Sequence, residues 1–270
     1  MPAHPRRRTL LTGAAATAAA AALPLAQPRP ARAAAWETVL DGSFASYETL
    51  EASWNYLYPW GSDHNGTARM YGSPTDHHHV YLENGVLVLK ATRIDWDEGN
   101  SSADPYLPIR YHSGAMHAKH QVLVSDQFPD YEIKGEFQAP SSPGTWPAFW
   151  LTGVSSWPPE SDILEFKGDN ENWFNTFRTA SDVSTTRVPV PSPGSWHSYR
   201  VWITKTSGSD VDIHYYLDDQ WQAVHHGAGF PGQPLWVICN LQMEGSSGGS
   251  GPTTDTYYRA RNIYIGRTRA

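Results

Sequence analysis

Six consecutive residues concentrate the chemistry of this chain: Glu160-Ser161-Asp162-Ile163-Leu164-Glu165. Three carboxylates stand at spacing E-x-D-x-x-E, with apolar residues between the last two. Two carboxyl groups flanking a glycosidic bond can divide acid/base and nucleophilic work between them. Just upstream, Trp146-Pro147-Ala148-Phe149-Trp150-Leu151 offers flat rings on which a pyranose can lie, with Trp150 the first candidate platform and Trp146 the second. On a strand, residues two apart share a face, so Glu160 and Asp162 point together while Glu165 points away. A one-residue bulge between Asp162 and Glu165 would return it to that face, and bulges are frequent beside active sites. The two glutamate Cα atoms would then stand roughly 13 Å apart. Side chains leaning over a concave sheet could close the carboxyls to the roughly 5–5.5 Å of a retaining mechanism. Crowded like charges raise one another's proton affinity, so such a set can hold a proton while one member stays ionised. Asp162 is placed to hydrogen-bond the attacking carboxylate. The spacing does not say which glutamate attacks.

The elements that must position these groups read as strands and turns. Val80-Tyr81-Leu82, Glu83-Asn84-Gly85 and Val86 to Ala91 make a hairpin with an Asn-Gly turn. Residues 113–118, 131–137, 199–204 and 212–217 alternate apolar with polar, and Asp218-Asp219 follows as a turn. Pro234 to Leu241 is a mostly apolar run that suits a strand buried on both faces. Tyr257 to Ile265 makes a terminal strand, and no sustained helical stripe follows the N-terminal segment. The pattern predicts an all-β sandwich of many short strands. Trp96 to Pro108 and Gly245 to Gly251 read as surface loops.

The first 35 residues read as a twin-arginine signal peptide: Arg6-Arg7-Arg8-Thr9-Leu10-Leu11, an Ala-rich apolar stretch, and a small-residue cleavage site near Ala33. Residues 36–270 then form a single catalytic domain that leaves the cytoplasm as a secreted, extracellular protein. Pro24 and Pro28 interrupt the apolar run, which is too short for a membrane span. Cys239 stands alone, so no internal disulfide is possible and a buried thiol is expected. A formal charge of −7 argues against nucleic acid or an anionic membrane as partner, and not against a neutral polysaccharide. Twelve tryptophans in one domain favour a partly exposed aromatic cleft. His77-His78-His79 cannot all face one ion, so they are read as polarity and not as a metal site.

In these motifs the chain resembles glycoside hydrolase family 16, the group of laminarinases, licheninases, agarases and carrageenases. Glu160 to Glu165 is similar to the bulged form of that family's active-site motif. Trp146 to Leu151 resembles the strand before it, and Tyr111-His112-Ser113-Gly114, Trp196-His197-Ser198-Tyr199 and Leu235 to Leu241 fall in family order. The resemblance implies a concanavalin A-like jelly-roll sandwich of two antiparallel sheets with a concave cleft. It implies endo-cleavage of a β-linked polysaccharide (a β-1,3- or mixed-linkage glucan, or a galactan) with retention. By the same resemblance Glu160 is the nucleophile, Asp162 its assistant and Glu165 the acid/base, while Trp60 and Asn65 line the non-reducing side of the cleft. Neither cofactor nor metal is expected, because residues 259–265 lack the acidic residue with which some members bind calcium. The protein is expected to act as a monomer on its polysaccharide.

The chain departs from the family where Thr176-Phe177 is followed by Arg178 in place of the frequent Thr-x-His. Arg178 is either a structural ion-pair partner or a contact for an anionic sugar. Two other classes remain in view: a carbohydrate-binding sandwich without catalysis, which would lack one of the three acids, and a jelly-roll polysaccharide lyase built around Arg178, His77 and Tyr71.

Overall fold

Turn residues and two-residue alternation are realised as seventeen strands in a computed structural model that describes residues 36–270. The signal peptide read over residues 1–35 lies outside the described residues. The elements are β1 (Trp36–Gly42), α1 (Tyr47–Ser53), β2 (Trp54–Tyr56), β3 (Ala68–Met70), β4 (Val80–Glu83), β5 (Val86–Arg93), β6 (Tyr111–Ser113), β7 (Ala115–Ala118), β8 (Asp130–Gln138) and β9 (Thr145–Gly153). There follow β10 (Glu160–Glu165), β11 (Glu171–Thr179), β12 (Asp182–Pro189), β13 (His197–Lys205), β14 (Asp210–Leu217), β15 (Gln220–Ala228), β16 (Leu235–Met243) and β17 (Thr256–Thr268). Helix α1 escapes the strand-and-turn reading because it is only two turns long; Ser46 and Thr49 cap its start reciprocally.

Ten strands form one sheet along the path β15-β14-β13-β8-β17-β5-β6-β3, with β1 beside β17 and β4 beside β5. Seven form the other, β12-β11-β10-β9-β16-β7-β2. The pairs are antiparallel except β3 with β6, a parallel contact that the alternation could not announce. Strand β8 shows why the layers stack. Tyr131, Ile133 and Phe137 are buried, while Lys134 and Glu136 face outward, paired with Glu132 and Arg261. Phe137 meets Phe149 of the other sheet at 4.9 Å, and Phe174 meets Tyr215 at the same distance. Cys239 is buried in this core, where loss of water pushes its thiol up to about 12.

One expected strand divides in two. Residues 111–118 leave the ten-stranded sheet as β6 and join the seven-stranded sheet as β7. Gly114 makes that crossing possible, because a Cβ there would stand 2.4 Å from the His79 carbonyl oxygen. Strands β9 and β16 are buried along almost their whole length, since one face meets the core and the other is covered at the cleft.

Candidate active site

The cleft lies on the seven-stranded sheet, over β9, β10, β11 and β16, and encloses about 450 Å³. Its central carboxyls owe their placement to an irregularity in β10. Against β9, Asp162 pairs with Trp150 and Leu164 with Phe149, so Ile163 is the extra residue of a bulge. Glu160, Asp162 and Glu165 consequently line one cavity. Pairing of β10 with β11 stops at Asp162 and Asn175. Beyond it the Asn172 side chain substitutes for the ladder: its Oδ1 accepts from the Glu165 N–H at 3.0 Å, and its Nδ2 donates to the Ile163 carbonyl at 3.4 Å. From the core side the Tyr215 hydroxyl donates to the Asn175 carbonyl at 2.7 Å and meets the Ser161 and Thr176 hydroxyls, fixing β10 against β11.

Each carboxyl accepts from a side-chain donor, and Asp162 and Glu165 share one. Glu165 accepts from Trp146 Nε1 at 2.8 Å and from Asn175 Nδ2 at 2.8 Å, and Lys167 Nζ stands 3.3 Å away. Asp162 accepts from the same Asn175 Nδ2 at 2.9 Å. Glu160 accepts from Trp157 Nε1 at 2.9 Å. Burial is the largest influence on all three and lifts each above its ordinary range. Glu160 is pushed up to about 8, with the Glu165 charge adding and the Trp157 hydrogen bond opposing. That elevation belongs to a dry cleft, because the Glu160 side chain is only half buried and water reaches it through the mouth. Asp162 is buried and forms no ion pair of its own, and burial together with the Glu165 and Glu160 charges lifts its carboxyl well above the ordinary range. Lys167 works against burial at Glu165. Three acids crowd around one lysine, an arrangement that favours retention of a proton within the set.

Four tryptophans frame the cavity in two ways. Trp146 and Trp150 are 7% and 6% exposed, and their indole N–H groups are committed to Glu165 and to Asn240 Oδ1. Trp60 and Trp157 are 47% and 52% exposed, so theirs are the ring faces open to a sugar. Trp60 stacks on Tyr58 at 5.2 Å and donates to the Asp63 carbonyl. Asp63 is clamped by Arg69 at 2.8 and 3.0 Å, which holds its carboxyl down to about 2. His64 stacks on Trp150, and burial holds its imidazole down to about 4, so it stays neutral. Asn65 also lines the cavity.

Arg178 does not reach this place. Its guanidinium grips Asp182 at 2.8 and 2.5 Å and donates to Ser184 and to the His226 carbonyl, outside the cleft lining. The anionic-sugar reading of Arg178 is therefore corrected: all three guanidinium nitrogens are engaged within the protein. Two of the three histidines are likewise engaged locally. His77 stacks on Tyr47 at 3.7 Å and bonds the Tyr56 hydroxyl, and His79 bonds the Lys90 carbonyl.

The family model for glycosyl hydrolases family 16 matches residues 67–259. A galactan endo-beta-1,3-galactanase of Flammulina velutipes is 45% identical over 228 residues, covering 84% of this chain and 88% of that protein. The chain belongs to glycosyl hydrolases family 16. It is a glycoside hydrolase. Solved structures share its fold at lower identity. An endo-1,3-beta-glucanase from Streptomyces sioyaensis superposes with a TM-score of 0.66 at 18% identity, covering 91% of this chain and 100% of that one. One from Pyrococcus furiosus gives 0.65 at 17%, covering 88% and 97%.

Several groups of this family 16 cleft were not singled out from the sequence: Trp157, Lys167, Asn172 and Asn175. Lys167 carried a usable signal, since it stands two residues past Glu165 and shares its face. Asn172 and Asn175 carried none, because their roles depend on where β11 stops pairing.

Proposed function

We propose that residues 36–270 are the catalytic domain of a secreted, monomeric endo-glycosidase that cleaves β-1,3-galactan with retention. The observation that carries the mechanism is the bulge at Ile163, which brings Glu160, Asp162 and Glu165 into one cavity beside open tryptophan faces. The Glu160 carboxylate attacks the anomeric carbon as the glycosidic C–O bond breaks, and Glu165 gives its proton to the leaving oxygen. Water, deprotonated by Glu165, then releases the sugar from Glu160. Asp162 keeps a proton in the set and steadies the nucleophile. Trp60 and Trp157 offer the ring faces against which the polymer lies, with Trp146, Trp150 and Asn65 in the wall behind them. The choice of galactan rests on the 45% identity to the fungal galactanase. The N-terminal twin-arginine signal would deliver the folded domain outside the cell.

One observation favours exchanged roles: Lys167, Asn175 and Trp146 all support an ionised Glu165. Trapping with a 2-fluoro glycosyl fluoride and peptide mapping decides between them. The expected label is on Glu160; a label on Glu165 would reverse the assignment. NMR of early products should show the β-anomer first. A polysaccharide panel should give oligosaccharides from β-1,3-galactan, and faster cleavage of β-1,3- or mixed-linkage glucan would overturn the choice of substrate.

A further inference from the structure

His64 stands in the wall of the cleft among three aromatic rings. Trp150 stacks on its imidazole at 5.8 Å, and Trp60 and Tyr58 meet it tilted, each at 5.2 Å. The Ser101 hydroxyl donates to the His64 carbonyl at 2.9 Å, but neither ring nitrogen has a partner among the described residues. The ring is neutral, so one nitrogen can donate and the other accept. Asn65, beside it in the same wall, is in the same condition: its Oδ1 is buried and has no partner among the described residues. Polar atoms withdrawn from water are almost always paired in a folded protein. Two adjacent side chains that break this rule, in one wall of one cavity, point to hydroxyls that arrive with a ligand.

The segment that carries them is held from both sides. Asp63, just before His64, is gripped by Arg69 and accepts from the Ser102 N–H at 2.8 Å. Gly66, just after Asn65, lies so close to Gln242 of β16 that a Cβ there would stand 2.5 Å from that side chain. Groups fixed before a ligand arrives lose little freedom in binding it. The chemistry of the polymer then narrows what they can read. A β-1,3-linked hexose chain leaves the O2, O4 and O6 hydroxyls of its internal units free. Galactose and glucose differ only in the direction of O4. A site built to bond a hydroxyl rejects the epimer that points it elsewhere, because the polar atoms of the site are then left unpaired.

We propose that His64, with Asn65 beside it, bonds the O4 hydroxyl of a galactosyl unit lying against Trp60, and so selects galactan over glucan. This role rests on the reading of the protein as a galactanase.

Values of kcat/KM for β-1,3-galacto- and β-1,3-gluco-oligosaccharides of equal length test it. The natural protein should prefer the galacto series; a preference for the gluco series would overturn the galactan reading and the role of His64 with it. His64→Phe keeps a ring among the aromatic neighbours and removes both nitrogens. It should lower kcat/KM on the galacto series about 10–100-fold and leave the slower gluco rate unaltered. A galacto preference that survives His64→Phe intact would overturn the role of His64 while the galactan reading stands. So would equal losses on both series, which describe disturbed packing. A further measurement needs no variant. The natural protein should cleave the 4-deoxygalactosyl counterpart more slowly by about the same factor, and His64→Phe should cleave it as well as the parent. Undiminished cleavage of the deoxy substrate by the natural protein would overturn the O4 assignment.

Discussion

A single amide nitrogen, Nδ2 of Asn175, serves two carboxyls, one hydrogen each for Asp162 and Glu165. The Thr185 hydroxyl donates to its Oδ1 at 2.7 Å, so the amide cannot turn over without losing that bond. Hydrogen bonds to charged groups contribute about 1.5–3 kcal/mol. Asn175→Ala should therefore lower kcat about 10–100-fold with little change in KM, measured by steady-state kinetics on a galactan oligosaccharide. A change confined to KM would remove Asn175 from the proton arrangement. Lys167 acts by charge. Its ammonium opposes the burial that lifts Glu165. Without it Glu165 holds its proton to higher pH. If Glu165 is the acid, Lys167→Met should move the alkaline limb of kcat/KM upward by about one pH unit. If Glu165 attacks instead, it must be ionised, and the acidic limb would rise.

At the scale of elements the site depends on how β10 leaves regular pairing. The bulge exposes the N–H of Glu165 and the carbonyl of Ile163, and Asn172 answers both. A buried backbone group left unpaired costs about 1–3 kcal/mol. Asn172→Ala should lose that much stability in urea unfolding and, by freeing the strand end, lower kcat as well. A variant of full stability with reduced kcat would mean that Asn172 does not hold the bulge. This bulge was legible beforehand because a five-residue offset between Glu160 and Glu165 needs one extra residue to share a face. The hairpin at Asn84-Gly85 was legible for a similar reason, as both residues adopt the positive φ that such turns demand. The passage of residues 111–118 between sheets was not. Alternation reports which side of a strand is buried, and it is silent on which neighbours pair with it. Arg178 shows the same limit. Its charge was plain in the chain, but its partner Asp182 arrives across the turn between β11 and β12, and only the fold turns it from the cleft.

For the molecule as a whole, the cleft acids impose a pH-dependent cost on the fold. A carboxyl whose pKa is higher in the folded than in the unfolded chain makes the folded state bind more protons between the two values. Stability must then fall as pH rises across that window. For Glu160 the window runs from the ordinary carboxylate range to about 8. Below it the acid is neutral in both states and the cost vanishes; above it the folded state carries a charge that water would solvate better. Replacing the acid with its neutral amide removes the cost while keeping the shape. Glu160→Gln should therefore be as stable as the natural protein near pH 4. It should be more stable by on the order of 2 kcal/mol near pH 8, allowing for the water that reaches a half-buried side chain. Thermal unfolding at the two pH values measures this. An advantage of equal size at both would show that ionisation of Glu160 is not the burden, and an advantage that grows toward acid pH would reverse the sign. On the ten-stranded sheet the outward Glu132 and Glu136 carry no comparable burden, since they are paired with Lys134, Arg200 and Arg261. If Glu160, Asp162 and Glu165 act as proposed, the fold places its electrostatic strain where a sugar, on entering, would expel water from them.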